Sequence, residues 1–149
     1  MDEFTGLRIN YSKGCFASDA GNAVAAIGYL TKSENTESGS FSYYHLDNTK
    51  RLTIELSKQK EWESAKRFCI KAIRNFRKRE DDKKIGKLES CEMLGELAYI
   101  QWANGKPEKA CGAMYGYVRG LIKDYDVNTP RYREAFNKAG HGLGWFVLL

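Results

Sequence analysis

Two histidines, His45 and His141, and four cysteines, Cys15, Cys69, Cys91 and Cys111, are the side chains of this 149-residue chain best suited to acid–base, nucleophilic or metal chemistry. The densest grouping is "YYHLDN", which brings Tyr43, Tyr44, His45 and Asp47 together. A tyrosine nucleophile beside an imidazole suggests a nicking or transfer enzyme, but such an enzyme also needs a metal-binding histidine cluster, which the sequence lacks. The plainer alternative makes Asp47 or Asn48 the cap of a following helix and the tyrosines half-buried packing groups. The cysteines form no CxxC pair and have no histidine at metal-ligand spacing, so they are expected to be free, buried thiols. "SKGCFASDAG" lacks the GKS/T of a phosphate loop, and its glycines read as turns. No cofactor, metal or small-molecule substrate is indicated, and the chain reads as non-catalytic.

Charge offers more. The net charge is +5, and twelve of the 24 Lys and Arg residues fall between positions 51 and 84, against six acids there. At 100° per residue, Arg67, Lys71, Arg74 and Lys78 project together, opposite an apolar stripe. Such a ridge neutralises phosphates, meets an acidic protein, or is simply a solvated helix face. An opposite stripe follows at Glu89, Glu92 and Glu96, with Tyr99 close to its line. These acids either contact a basic peptide or interact favourably with a helix dipole near its start.

Helices must position these residues. Ala65, Cys69, Ala72 and Phe76 recur at helical intervals, predicting a helix from about Ser64 to Arg79. A largely buried helix is expected over Leu88–Trp102. Asn104-Gly105 then breaks the chain, and Pro107 opens a helix reaching about Lys123. A further helix is expected after Asn128 or Thr129, with Pro130 in its first turn. The first 47 residues look less regular: "GLRINYSKGCF" suggests a short strand, Asp19–Leu30 a short capped helix and "KSENTESGSFS" a polar loop.

The helix pairs 49–79 and 91–124 match at an approximate offset of 45, aligning Ala65 with Ala110, Cys69 with Met114 or its neighbour, Ala72 with Tyr117 and, after a shift of three, Leu52 with Leu94. The offset carries the basic ridge onto Gly112, Gly116, Arg119 and Lys123. In the second pair, Leu94-Gly95, Ala98, the turn Asn104-Gly105-Lys106-Pro107 and Ala110 resemble a tetratricopeptide repeat. The resemblance covers about half the chain. It implies close packing of two helices at Gly95 and Ala110, and a protein-binding groove lined by the first helix at Glu89, Glu92, Glu96 and Tyr99. The first pair lacks the Leu-Gly pair and the turn glycine, and an offset of 45 exceeds the usual 34, so a longer helical repeat is the broader description.

The fold expected is mainly α: antiparallel helix pairs stacked as a short α-solenoid or bundle, in a single domain over 1–149 with the repeat region at 48–149. Gly112, Gly116 and Gly120 are spaced to share one face, expected to lie away from the helix seam where another backbone approaches closely. The function expected is binding of a protein partner or self-association, with nucleic-acid binding through Arg67, Lys71, Arg74, Lys78, Arg119 and Lys123 as the alternative. No apolar run reaches the roughly 18 residues of a membrane span, and no secretory leader is evident, so a cytoplasmic location is expected. The C-terminal "GLGWFVLL" is expected to be covered by the core or by a partner.

Overall fold

The computed structural model describes residues 3–36, 43–78 and 83–124, together with the single positions 130, 133, 134 and 137. The described chain comprises six helices: α1 (Glu3–Asp19), α2 (Ala23–Glu34), α3 (Tyr43–Lys58), α4 (Trp62–Arg77), α5 (Lys83–Ala103) and α6 (Pro107–Asp124). No strand occurs among the described residues. None of the described helices is long and apolar enough to cross a membrane. The chain divides into two compact units, residues 1–75 and 76–149. The tail "GLGWFVLL", His141 and nearly all of the helix expected after Pro130 lie outside the described residues.

In the first unit α1 packs against α2 and α3, and α2 against α3. The strand expected in "GLRINYSKGCF" is instead the body of α1. Leu7, Gly14 and Ala17 are buried, at helical intervals of seven and three, whereas two of the residues that suggested a strand point outward, Ile9 at 38% and Phe16 at 78% exposure, and the third, Tyr11, is half-buried. Tertiary burial of one stripe outweighs the local β preference. The helix expected to begin at Asp19 begins at Ala23, because α1 continues through Asp19 and the chain then turns at Gly21. Asn22 caps α2, its side chain accepting from the Ala25 N–H at 3.1 Å. Asp47 and Asn48 do not cap α3, which starts at Tyr43 and places both within its second turn.

Three turns close three helix pairs in the same way. In each, a residue with positive φ (Gly21, Lys60, Gly105) follows a helix. Its N–H donates to the carbonyl three residues back, and the next N–H donates to the carbonyl five back. The second hydrogen bond satisfies a helix-end carbonyl that would otherwise lack a partner. Counted from the positive-φ residue, the same positions are buried every time. Five residues on stand Ala26, Ala65 and Ala110, all at 0% exposure; nine on stand Leu30, Cys69 and Met114; twelve on stand Ser33, Ala72 and Tyr117. Four residues before are Ala17, Leu56 and Gln101, and seven before are Gly14, Thr53 and Ala98. The repeated hairpin therefore occurs three times rather than twice, and the region expected to be irregular contains the first copy. This register also matches Leu52 with Leu97 rather than Leu94.

The second unit holds the packed pair α5 and α6. Cys91, Ala98, Ala113, Met114, Tyr117 and Leu121 form its core, with Leu88, Leu94, Leu97 and Val118 partly buried against it. Gly95 lies at the seam as expected: a Cβ there would sit 3.2 Å from the Tyr117 ring.

Candidate functional site

Two clusters of charge stand out, one in each unit. In the first unit Glu34, at the end of α2, is buried, with 2% of its side chain exposed. Three donors from two helices surround its carboxylate. Asn48 Nδ2 donates at 2.8 Å, Thr49 Oγ1 donates at 2.8 Å, and Lys71 of α4 completes an ion pair. Asn48 Nδ2 also lies 3.0 Å from the Leu30 carbonyl, tying α3 to the last turns of α2. A buried carboxylate is costly unless it is paired and hydrogen-bonded, and these donors meet that requirement. Lys71 is thus not a free member of the cationic ridge: Glu34, placed by sequence reasoning in a polar loop, holds it against α2. Arg67 and Arg74 remain exposed on α4, with the Arg67 guanidinium 5.0 Å from the Phe68 ring centre. Lys78 is exposed in the turn just after the helix.

Tyr44 and Asp47 of the "YYHLDN" stretch contact side chains of α1. Asp47 is held by Arg51 at 2.8 Å and by the Tyr11 hydroxyl. The Tyr44 ring meets Tyr11 edge-on at 5.5 Å and carries Arg8 5.6 Å from its centre. Burial pushes the Tyr11 hydroxyl up, reinforced by its bond to Asp47, and burial likewise raises the Cys15 thiol. Both shifts disfavour the ionised nucleophile. Burial lowers His45 below its ordinary value; the Glu34 carboxylate opposes this and Lys71 adds to it. Among the described residues no three His, Cys, Asp or Glu side chains form a group able to hold a metal ion. None of the four cysteines forms a disulfide among the described residues; Cys69 and Cys91 are buried, whereas Cys15 and Cys111 are half-buried.

In the second unit a recess of about 460 Å³ opens at the α5–α6 pair. Its cations come from separate places in the sequence: Arg77 at the end of α4, Lys87 on α5, and Arg119 and Lys123 on α6. All four are exposed, and among the described residues none is engaged in an ion pair. Among the described residues no acidic side chain lines the recess; Ser90, Cys91, Leu94, Gly116 and Gly120 are the other described residues of its lining. Ser90 donates to the Lys87 carbonyl at 3.0 Å, and the Cys91 thiol donates to the Tyr117 carbonyl at 3.4 Å, fixing this wall.

The three glycines of α6 separate into different roles. Gly120 does not face away from the seam: a Cβ there would lie 2.5 Å from Cys91 Sγ. Gly116 also faces α5, its Cβ position 3.3 Å from Leu94 Cδ1. Gly112 alone is exposed with nothing within 4 Å. The close approach that explains Gly116 and Gly120 is thus made by α5 side chains of the same hairpin. On α5 Glu89, Glu92 and Glu96 are half-buried and Tyr99 is 43% exposed. Burial raises the Tyr117 hydroxyl, and Glu92 and Glu96 raise it further, so this stripe lies within electrostatic reach of the helix seam.

Sequence reasoning found Arg119 and Lys123 but missed their companions Arg77 and Lys87. Arg77 sits one residue from Lys78 within the basic middle third, a signal too diffuse to single it out. Joining Lys87 to Arg119 requires the hairpin itself, since 32 residues separate them. Comparison with protein families, curated proteins and solved structures found no match to this chain.

Proposed function

We propose that this chain is a non-catalytic, cytoplasmic interaction module of the helical-repeat type, similar to tetratricopeptide proteins, which binds a protein partner or assembles with further copies of itself. The observation that carries this reading is the threefold recurrence of one hairpin, with the same turn and the same five buried positions around Gly21, Lys60 and Gly105. Repeated hairpins of this kind bury their faces against neighbours and offer side chains of successive first helices as a surface. In the third hairpin that surface is Glu89, Glu92, Glu96 and Tyr99. Its charge suits a basic peptide, with the partly exposed Tyr99 ring as an anchor.

The test is affinity capture from nuclease-treated native lysate, comparing the natural chain with Glu92→Lys/Glu96→Lys and with Tyr99→Ala. A nuclease-resistant partner lost from both variants supports the reading, as does concentration-dependent self-association in light scattering that the same variants abolish. A monomer whose captured proteins are indifferent to these substitutions would sink it. Nucleic-acid binding is favoured by a separate observation, the cation-lined recess of the second unit.

A further inference from the structure

The geometry of the second unit points to a nucleotide-binding recess: Arg77, Lys87, Arg119 and Lys123 would hold the phosphates of a nucleotide, either free or within a single nucleic-acid strand.

The cations converge rather than run along one helix. Arg77, Lys87 and the α6 pair Arg119 and Lys123 occupy three different stretches of sequence yet line one recess, with no acid among its described lining residues. Four cations that find no ion-pair partner among the described residues repel one another, a cost that a bound polyanion removes. Arginine offers a planar fork that fits two phosphate oxygens, and lysine a mobile point charge that follows a third. Both types are present in pairs.

The recess is also shaped for more than an inorganic anion. Its volume of about 460 Å³ falls within the few hundred to about 1,000 Å³ of small-molecule sites. Leu94 and Cys91 give it an apolar part suited to a base or sugar, while the cations suit phosphate. Gly116 and Gly120 also line it, and their lack of side chains lets α6 lie close against the same Leu94 and Cys91. A recess lined in this way fits an unstacked nucleotide better than the convex backbone of a duplex. The site is separate in ligand from the acidic stripe of α5, so it stands or falls independently of the protein-binding reading.

The experiment uses the full chain and a fluorescein-labelled twelve-nucleotide oligothymidylate, read by fluorescence anisotropy across a salt series, with unlabelled ADP as competitor. Binding that weakens as salt rises is expected. Lys87→Gln/Arg119→Gln should raise Kd at least about tenfold and flatten the dependence of log K on log salt, by roughly 0.7 for each strand phosphate that is no longer neutralised. Arg67→Gln/Arg74→Gln, which removes two exposed cations of α4 outside the recess lining, should leave both nearly unchanged. Displacement by ADP would identify a free nucleotide as the ligand; a strand that binds undisplaced would identify single-stranded nucleic acid. Circular dichroism melts confirm that each variant is folded, and Lys123→Gln, a single substitution at an exposed position of the recess, should also raise Kd. The proposal is overturned if neither probe binds, if a duplex of the same length binds as well as the strand, or if the α4 variant loses as much affinity as the recess variant.

Discussion

Gly112 and Gly120 are eight residues apart on one helix and are expected to respond to the same substitution with opposite sign. At Gly112 a Cβ meets nothing within 4 Å, so Gly112→Ala removes only the entropic penalty of glycine in a helix, a gain of about 0.5–1 kcal/mol. At Gly120 the new methyl would lie 2.5 Å from Cys91 Sγ and 3.2 Å from its Cβ. Cys91 or the helix must then move, and Gly120→Ala is expected to cost about 1–3 kcal/mol. Thermal denaturation of the two variants followed by circular dichroism decides the matter: shifts of Tm in the same direction would contradict this packing. The even spacing of Gly112, Gly116 and Gly120 makes them look equivalent in sequence, but α5 covers only part of that face. Which glycine touches Cys91 depends on the crossing of two helices and is invisible in a one-dimensional pattern. Glu34 teaches the same lesson, since nothing local distinguishes a carboxylate destined for Asn48, Thr49 and Lys71 from a solvated one.

At the scale of elements, the turns allow a sharper test. Lys60 adopts φ 60°, where the equivalent residues Gly21 and Gly105 have φ 76° and 73°. A side chain in this region costs about 1–2 kcal/mol relative to glycine, because its Cβ crowds the backbone. Lys60→Gly is expected to raise stability by about 0.5–1 kcal/mol after the greater freedom of glycine in the unfolded chain is deducted. Gly105→Ala is expected to lower it by about 1 kcal/mol. Chemical denaturation of both variants checks the pair; a destabilised Lys60→Gly would show that the lysine side chain contributes something the turn geometry does not. The helices α4, α5 and α6 were legible because Ala65, Cys69, Ala72 and Phe76, and then Pro107, signal period and start directly. The hairpin of α1 and α2 was hidden for a physical reason: exposed Ile9 and Phe16 overlay the buried stripe of Leu7, Gly14 and Ala17. Lys60 concealed the middle turn by occupying a position where glycine is the usual signal.

For the molecule as a whole, His45 links stability to pH. Burial lowers its folded value below the ordinary 6.5, with Lys71 acting in the same direction and Glu34 against it. The unfolded chain therefore takes up this proton at a higher pH than the folded chain. Well above pH 6.5 both forms are neutral and His45 contributes no pH dependence. As pH falls below 6.5 the unfolded state is protonated first, so stability declines, levelling off once the folded value is passed. His45→Gln is expected to flatten this limb on the acid side of the ordinary histidine value in urea-denaturation midpoints measured at successive pH values. A slope unchanged by the substitution would assign the acid sensitivity elsewhere.

The tight turns have a kinetic consequence. Because α1 and α2, and again α5 and α6, meet through three-residue connections, each pair joins residues near in sequence, and loop closure costs little. Each such pair is therefore suited to rapid formation and to opening as a cooperative unit in amide hydrogen exchange. For α5 and α6, opening would separate Lys87 from Arg119 and erase the recess between them. A bound phosphate would then slow exchange throughout that pair, including amides far from the ligand, because it could be held only while both helices are in place.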